Sequence, residues 1–208
     1  MKSTDYGFVW QELLQGYEEY GKEEGFIIFQ NKNALNMGTI FSYYMKPSEY
    51  ERLSDKEKDL ALLYVLVADE DTYRNAQMPL KEMTAEQFLD EMPKTEEALS
   101  VHCSALNETA ADTFSYTDKE LKLSYAGAEE GMVFLSVPYS DGFSAYVDGQ
   151  RAEVIKVDGG LMAVAVSQGS KSVELVYREP GLIEGVILSG IGLLLFLVYM
   201  FVQKRRNV

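Results

Sequence analysis

The C-terminal end of the chain carries its longest uninterrupted apolar run. Residues 185–202 read GVILSGIGLLLFLVYMFV, which is 18 positions without a charged side chain. As a helix they would extend about 27 Å, close to the thickness of the hydrocarbon layer of a bilayer. A buried core helix of this length would normally keep a polar face. The pattern therefore predicts a transmembrane helix over residues 182–203.

The basic residues after this run indicate its orientation. Lys204, Arg205 and Arg206 follow it directly. Because positively charged flanks tend to stay in the cytoplasm, we expect residues 204–208 to form a cytoplasmic tail on the cell membrane. The soluble part then lies outside the cytoplasm. The alternative is a tail-anchored protein with a cytoplasmic soluble part, which would place the three positive charges outside, against the charge rule.

Between residues 111 and 178, short apolar or alternating runs are separated by turn signals. The predicted strands are 121–127, 132–139, 143–147, 151–157, 161–166 and 172–177. The breaks are Asp141-Gly142, Asp148-Gly149, Asp158-Gly159-Gly160 and Gln168-Gly169-Ser170. Asp-Gly favours the type I′ hairpin turn, whose two central residues need positive φ, so we expect positive φ at Gly149 and Gly159. Strands about ten residues apart are typical of a sandwich or barrel.

Aromatic residues are frequent, with 14 Tyr, 10 Phe and one Trp. Several stand at alternate strand positions, as Phe114 and Tyr116 do, so that their side chains share one face. We interpret them as sandwich core. The alternative is a carbohydrate-binding platform, because aromatic faces and carboxylates suit sugars.

The N-terminal half mixes strand and helix signals. Residues 26–30 and 38–45 resemble strands. Ser54 and Glu57 form a capping box ahead of a predicted helix over 54–67, and Thr84 with Gln87 repeats that signal before a second helix. The predicted fold class is α+β, mainly an antiparallel β-sandwich, with one C-terminal transmembrane helix. We divide the chain into a mixed α/β extracytoplasmic segment (1–100), a sandwich with Asp-Gly hairpins (101–180), the transmembrane helix and the basic tail.

Composition restricts the chemistry. The formal charge is −14, which disfavours a nucleic-acid partner. There is one His and one Cys, His102 and Cys103, which excludes an intramolecular disulfide and a multi-His zinc site. We expect both in a strand, where neighbours point to opposite faces and cooperate poorly. Walker, Rossmann and nucleophile-elbow motifs are missing from the sequence. We therefore assign no catalytic, cofactor-binding or metal-binding residue, and expect no cofactor.

Targeting presents a puzzle. Residues 1–25 contain no apolar run of the kind found in a signal peptide. All 33 acidic and 16 of the 19 basic residues precede the apolar run, giving this part a formal charge of −17. We expect the chain to be the C-terminal piece of a longer membrane protein whose upstream helices carried it across. Small residues at Gly185, Ser189 and Gly192 would then pack against those helices.

Two segments carry a resemblance to a known family. One is Pro138-Tyr139-Ser140-Asp141-Gly142-Phe143 with Val147-Asp148-Gly149, followed by Gly169, SVELVYREPG and the last apolar helix. The other is FIIFQNKNAL with Gly38, which resembles a "Y-x-N-x-x-A-L-P-x-G" segment. Both resemble the C-terminal end of the YfhO family of bacterial multi-pass membrane proteins, over most of residues 17–206. Met37 replaces a usual Pro and Phe143 a usual Trp. The structural motif residues are Asn31, Asn33, Pro138, Tyr139, Gly142, Asp148, Gly149, Gly169 and Tyr177.

The resemblance implies a role in glycosylating cell-wall polymers such as lipoteichoic acid in Gram-positive bacteria. Such proteins are similar to GT-C glycosyltransferases, which use lipid-linked sugar donors outside the cell. Their catalytic carboxylates are expected in an early extracytoplasmic loop, so none is carried over and this chain alone is expected to be inactive. The expected partners are the bilayer, upstream transmembrane helices, and a glycan or polyprenyl-linked sugar. The alternative is a membrane-anchored extracytoplasmic binding or scaffold module without catalysis.

Overall fold

The strands and helices alternate irregularly along the chain. The computed structural model describes residues 17–68, 70–75 and 79–206. The strands are β1 (Tyr17–Glu23), β2 (Phe26–Asn31), β3 (Ile40–Phe41), β4 (Tyr43–Met45), β5 (Leu66–Val67), β6 (Lys81–Glu82), β7 (Thr113–Tyr116), β8 (Glu120–Ser124), β9 (Gly131–Pro138), β10 (Phe143–Val147), β11 (Gln150–Ala152), β12 (Ile155–Val157), β13 (Leu161–Val166) and β14 (Ser172–Tyr177). The helices are α1 (Pro47–Tyr50), α2 (Asp55–Ala61), α3 (Glu70–Asn75), α4 (Ala85–Glu91), α5 (Glu96–Glu108) and α6 (Leu182–Arg206).

Two antiparallel sheets form a β-sandwich, which confirms the predicted fold class. One sheet has the order β11-β10-β14-β8-β7 and the other β12-β13-β9-β3. Alternate residues of each strand point into one shared core. The four-stranded sheet contributes Val133, Leu135, Met162 and Val164, and the five-stranded sheet contributes Leu123, Ala145, Val173 and Leu175.

The four-stranded sheet is buried on both faces. Its other face carries Phe41, Met132, Phe134, Ala163 and Ala165, which pack in a second core with Tyr44, Leu66 and Leu80. The latter residues belong to or adjoin the small parallel sheet β5-β4-β6. This double burial explains the continuous apolar sequence LMAVAV of β13, since a strand covered on both faces needs no polar alternation.

Two of the four turn signals form the predicted hairpins. Asp148-Gly149 joins β10 to β11, and Asp158-Gly159 joins β12 to β13. Both Asp residues have φ of 49°, and Gly149 and Gly159 have φ of 78° and 73°, which confirms the predicted positive φ. The hairpin interpretation of Asp141-Gly142 is wrong, because this segment carries the chain from one sheet to the other, as does the predicted break at Gln168-Gly169.

Two predicted strands are each divided between sheets. Residues 151–157 were expected as one strand, but β11 pairs with β10 whereas β12 pairs with β13, so the chain changes sheet at Glu153 and Val154. Residues 38–45 divide in the same way, with β3 joined to β9 of the sandwich and β4 joined to the parallel sheet. Both halves of 151–157 combine charged and apolar residues, with Arg151 in β11 and Lys156 in β12, so composition does not mark the change of sheet.

The helix starts at Ser54 and Thr84 are confirmed, and both capping boxes are formed. The first helix ends at Ala61, and Leu66–Val67 form β5 instead of a last helical turn.

The prediction of a strand around His102 and Cys103 is wrong. Both lie in α5, which begins where the Thr95 hydroxyl accepts a hydrogen bond from the Ala98 amide at 3.2 Å. The His102 ring stacks on Tyr64 with centroids 3.7 Å apart, and its Nε2 lies 2.8 Å from the Leu63 carbonyl oxygen. Cys103 is buried, and this burial raises the pKa of its thiol, which makes it a poor nucleophile.

The last helix, α6, has the properties predicted for a membrane span. It is 25 residues long, its 18-residue apolar window has a mean hydropathy of 2.5, and none of that window is buried against the described part of the chain. It starts after Gly181, whose φ is 77°, and ends with Lys204, Arg205 and Arg206 inside its last turn. Gly185, Ser189 and Gly192 lie along it, and their contact with upstream helices stays a prediction.

Candidate functional site

The inner face of β7 is exposed in the part of the chain that the structure describes. Phe114 and Tyr116 stand opposite Leu123 and Leu121 across the β7–β8 ladder, so they share the face that points to the sandwich core. Leu123 is 1% exposed, whereas Phe114 and Tyr116 are 55% and 76% exposed. The opposing sheet ends at β3, which is two residues long. The interpretation of these two rings as core is therefore wrong, although their predicted face is right.

This uncovered face lines a cleft between the ends of the two sheets, which we call the aromatic cleft. Its volume is about 600 Å³, and its lining includes Phe114, Tyr116, Pro138, Phe143 and Tyr177. A concave site of this size, mostly apolar with a few polar groups, is typical of small-ligand binding. The polar groups that line it include Asp118 and Ser140.

The segment around Gly142 shapes the floor of the aromatic cleft. A Cβ atom at Gly142 would lie 2.5 Å from the Arg178 carbonyl oxygen and 2.5 Å from the Tyr177 ring. Glycine thus allows the 138–143 segment to reach the end of β14, where the Arg178 amide donates to the Gly142 carbonyl at 2.9 Å. The Phe143 and Tyr177 rings then meet with centroids 4.9 Å apart. Three predicted motif residues, Pro138, Gly142 and Tyr177, therefore converge on this cleft.

The aromatic cleft lies next to the start of α6. The Tyr177 amide donates a 2.8 Å hydrogen bond to the Lys119 carbonyl in the turn after β7. Leu182, the first residue of α6, is five residues further along the chain. Five extended residues reach at most about 18 Å, so the cleft is held close to the helix that could cross the membrane.

A charged group stands on the outer face of the five-stranded sheet, beside the cleft. The Lys122 Nζ lies 2.9 Å from Glu120 Oε1 and 3.6 Å from Glu174 Oε1. The hydrogen bond from Lys122 lowers the pKa of Glu120, and the hydrogen bond with Glu120 raises the pKa of Glu174. Because its carboxylate is engaged there, Glu120 is less available to the cleft than Asp118 is.

The motif residue Asp148 holds a turn. Its Oδ1 accepts hydrogen bonds from the Lys171 and Ser172 amides, both at 2.9 Å. These bonds, with that from Lys171 first, lower the pKa of its carboxyl group. The first hairpin turn is thereby fastened to the start of β14, and Gly149 supplies the second positive φ.

Asn31 and Asn33 lie away from the aromatic cleft, at the end of β2. The Asn33 amide donates to Asn31 Oδ1 at 2.9 Å, and Ser100 Oγ of α5 donates to Asn33 Oδ1 at 2.7 Å. Asn107 of α5 holds the same loop through the Ala34 carbonyl at 3.0 Å and the Asn36 amide at 2.7 Å. Sequence reasoning missed Ser100 and Asn107 because it expected a strand there.

The remaining motif residues, Gly169 and Tyr139, lie where strands end. Gly169, with φ of 86°, turns the chain from β13 towards β14. Tyr139 follows β9, where burial and then its hydrogen bond to Asp141 raise the pKa of its hydroxyl.

A second cavity is lined by the half-buried Asp158. It has a volume of about 490 Å³ and is lined by residues that include Tyr50, Thr72 and Lys156. Asp158 Oδ1 accepts a hydrogen bond from the Val67 amide at 2.7 Å. Burial raises the pKa of this carboxyl group to about 6, while the bond from Val67 acts in the other direction. Asp158 therefore joins the second hairpin to the parallel sheet.

The described residues form no obvious metal-binding site. No group of three or more His, Cys, Asp or Glu side chains within 17–68, 70–75 and 79–206 is arranged to hold an ion. Sequence reasoning missed Asp118 in the aromatic cleft, whereas it named Phe114 and Tyr116 as core, with a carbohydrate-binding platform as the alternative. The alternation of the two aromatics was visible, but whether a second sheet covers them depends on the length of β3.

The second half of the chain is similar to known proteins. Residues 91–189 match the model of a family described as bacterial membrane protein YfhO. A relative from Bacillus subtilis (strain 168), named uncharacterized protein YfhO, is 26% identical over 98 residues. The aligned part is 47% of this chain and 11% of that relative. No solved structure matches the chain. The resemblance is thus confirmed over residues 91–189, while Asn31 and Asn33 lie outside the match.

Proposed function

Starting from this YfhO-family segment and its apolar helix, we propose that the chain is the C-terminal extracytoplasmic part of a longer membrane glycosyltransferase-like protein. The parent protein transfers sugar from a lipid-linked donor to a cell-wall polymer, lipoteichoic acid. The observation that carries this proposal is the family match, which spans the sandwich and the first residues of α6. That the aligned part is a small fraction of the relative supports a longer parent.

The motif residues have structural roles in this chain, which supports assigning catalysis to another part of the parent protein. Gly142, Asp148 and Gly149 shape turns, and Asp148 is occupied by backbone amides. As the family resemblance implies, the catalytic carboxylates belong to the upstream part of the parent. The sandwich positions substrate at the outer membrane surface, and this chain alone is inactive. The domain boundaries at residues 100 and 180 are part of the same proposal.

Cell-wall analysis tests this function. Lipoteichoic acid is isolated from cells with the parent protein, without it, and with a parent that lacks residues 17–180. We expect the ratio of sugar to phosphate to fall in both altered strains. An unchanged ratio in cells without the parent would contradict the proposal.

A membrane-anchored binding module without chemistry is the second candidate. It is favoured by the aromatic cleft, which is a ligand-sized concavity in the chain itself. One strain distinguishes the two candidates, namely cells in which the upstream carboxylates of the parent are replaced. If the chain is a binding module, the polymer should keep its sugar in these cells. If the parent is a transferase, the polymer should lose its sugar.

A further inference from the structure

The two exposed rings of β7 form a surface of their own. Phe114 and Tyr116 have centroids 6.5 Å apart and ring planes within 14° of each other. Burying rings of this size would stabilise the fold, yet both stay largely in solvent. Exposed apolar surface beside a cleft marks an interaction site. The two near-parallel rings are stacked, and both line the aromatic cleft.

We propose that the aromatic cleft binds a neutral saccharide, with a pyranose ring against Phe114 and Tyr116 and its hydroxyl groups on Asp118 and Ser140. This inference deepens the proposed function and rests on it for the class of substrate. The C–H groups on a sugar face carry partial positive charge, which suits the negative face of an aromatic ring. A carboxylate accepts several hydrogen bonds, and a hydroxyl both donates and accepts, so Asp118 and Ser140 match sugar hydroxyls.

The charges at the aromatic cleft favour a neutral ligand over a phosphate. The described residues that line it include Asp118, and neither Lys nor Arg is among them, while the carboxylate of Glu120 is paired with Lys122 on the outer face of the sheet. Arginine and lysine are the side chains that hold phosphate groups. A phosphate in the cleft would face carboxylate without a cationic partner, so the bound part of a lipid-linked or polymeric glycan is its uncharged sugar.

The same charges argue against insertion of this edge into the bilayer. Aromatic residues at membrane interfaces commonly stand with Lys and Arg, which anionic lipids attract. Here the turn after β7 carries Asp118 and Glu120 with Lys119, and the part of the chain before the apolar run has a formal charge of −17. Because the cleft is still within about 18 Å of the start of α6, a sugar held there stays close to its lipid carrier.

Saturation-transfer difference NMR tests the proposal on the full chain in phosphatidylcholine nanodiscs. The probes are methyl β-D-glucopyranoside, methyl α-D-galactopyranoside and methyl N-acetyl-β-D-glucosaminide, with glycerol 3-phosphate as the anionic comparison. We expect at least one glycoside to bind with a Kd of about 1–10 mM, equivalent to roughly 3–4 kcal/mol, and glycerol 3-phosphate to give no signal. No transfer to any glycoside, or equal transfer to glycerol 3-phosphate, would overturn the proposal.

Variants locate the binding. The double variant Phe114→Ala/Tyr116→Ala should weaken glycoside binding at least about fivefold, or about 1 kcal/mol. The matched control Tyr17→Ala/Tyr20→Ala removes two exposed rings of the β1–β2 hairpin, 44% and 73% exposed, and should leave binding unchanged. A binding site at β7 would be contradicted if both double variants lost the same glycoside affinity, or if Phe114→Ala/Tyr116→Ala lost none.

Lipid contact is tested on the same edge. A fluorophore on Tyr116→Cys, in a Cys103→Ala background, should not be quenched by doxyl-labelled lipid in the nanodisc. Strong quenching would assign the rings to the membrane interface and overturn the saccharide site. These outcomes can be distinguished from a failure of the proposed function. If no glycoside binds but cells without the parent lose polymer sugar, only the cleft assignment fails.

Discussion

Asp158 offers a sharp test of the packing between the sandwich and the N-terminal elements. Its carboxyl pKa is raised by burial from 3.8 to about 6, and its Oδ1 accepts from the Val67 amide. Asp158→Asn keeps an acceptor for that amide and tolerates the φ of 49°. The substitution therefore removes the ionisable group with little change in shape.

The sign follows from proton linkage. Because the folded pKa lies above the unfolded one, the folded state binds more protons between the two values, and its stability falls as pH rises from 3.8 through 6. The full shift of about two units corresponds to about 3 kcal/mol at 1.36 kcal/mol per unit. Between pH 4.5 and 7.5 the expected loss in the unmodified chain is about 2 kcal/mol.

The assay is urea unfolding in zwitterionic detergent at the two pH values, followed by near-UV circular dichroism of the tyrosines. We expect the stability of D158N relative to the unmodified chain to rise by about 2 kcal/mol from pH 4.5 to 7.5. The matched control is Asp148→Asn, at the same turn position, where hydrogen bonds from Lys171 and Ser172 lower the pKa. Asp148→Asn should lower the free energy of unfolding at pH 7.5, and should lower it by a smaller amount at low pH. An identical pH dependence in D158N and the unmodified chain would refute the burial of a costly charge.

The other predictions concern glycine positions and activity. Gly149→Val should lower the free energy of unfolding by about 1–2 kcal/mol, because a branched residue must adopt a φ of 78°; an unchanged midpoint would contradict the turn. Gly142→Ala should cost about 1–3 kcal/mol through its contact with Arg178 and Tyr177, whereas Gly127→Ala, with open space around it, should have little effect; equal midpoints for the two variants would contradict that contact. The purified chain should transfer no sugar from a polyprenyl-phosphate donor, and turnover that a single Asp or Glu substitution abolishes would show a catalytic site here.

Local chemistry made several elements predictable. The capping boxes at Ser54 and Thr84 and the type I′ turns at Asp148 and Asp158 depend on four or fewer neighbouring residues, so their sequence signals were sufficient. The apolar run of α6 was equally clear, since its length and lack of charge do not depend on tertiary contacts.

Long-range packing decided what could not be predicted. The run 151–157 does not indicate that the chain changes sheet at Glu153, because its halves in the two sheets carry the same mixture of apolar and charged residues. The strand expected at His102 became α5 because Thr95 caps a helix there and Cys103 reaches the core. In the aromatic cleft, the alternation of Phe114 and Tyr116 correctly predicted one shared face, but its exposure depends on the opposing sheet, which among the described residues ends at the two-residue β3.

The central claim is that the sandwich lies outside the cytoplasm on a helix whose basic end lies inside. Cysteine labelling of intact cells with a membrane-impermeant maleimide tests it, in a Cys103→Ala background. Gln168→Cys is the outer probe, because Gln168 is exposed between β13 and β14 and avoids the strained Gly149, and Asn207→Cys is the inner probe. The account predicts labelling at position 168 in intact cells, and at 207 only after the cells are opened. Labelling at 207 but not at 168 in intact cells would contradict it.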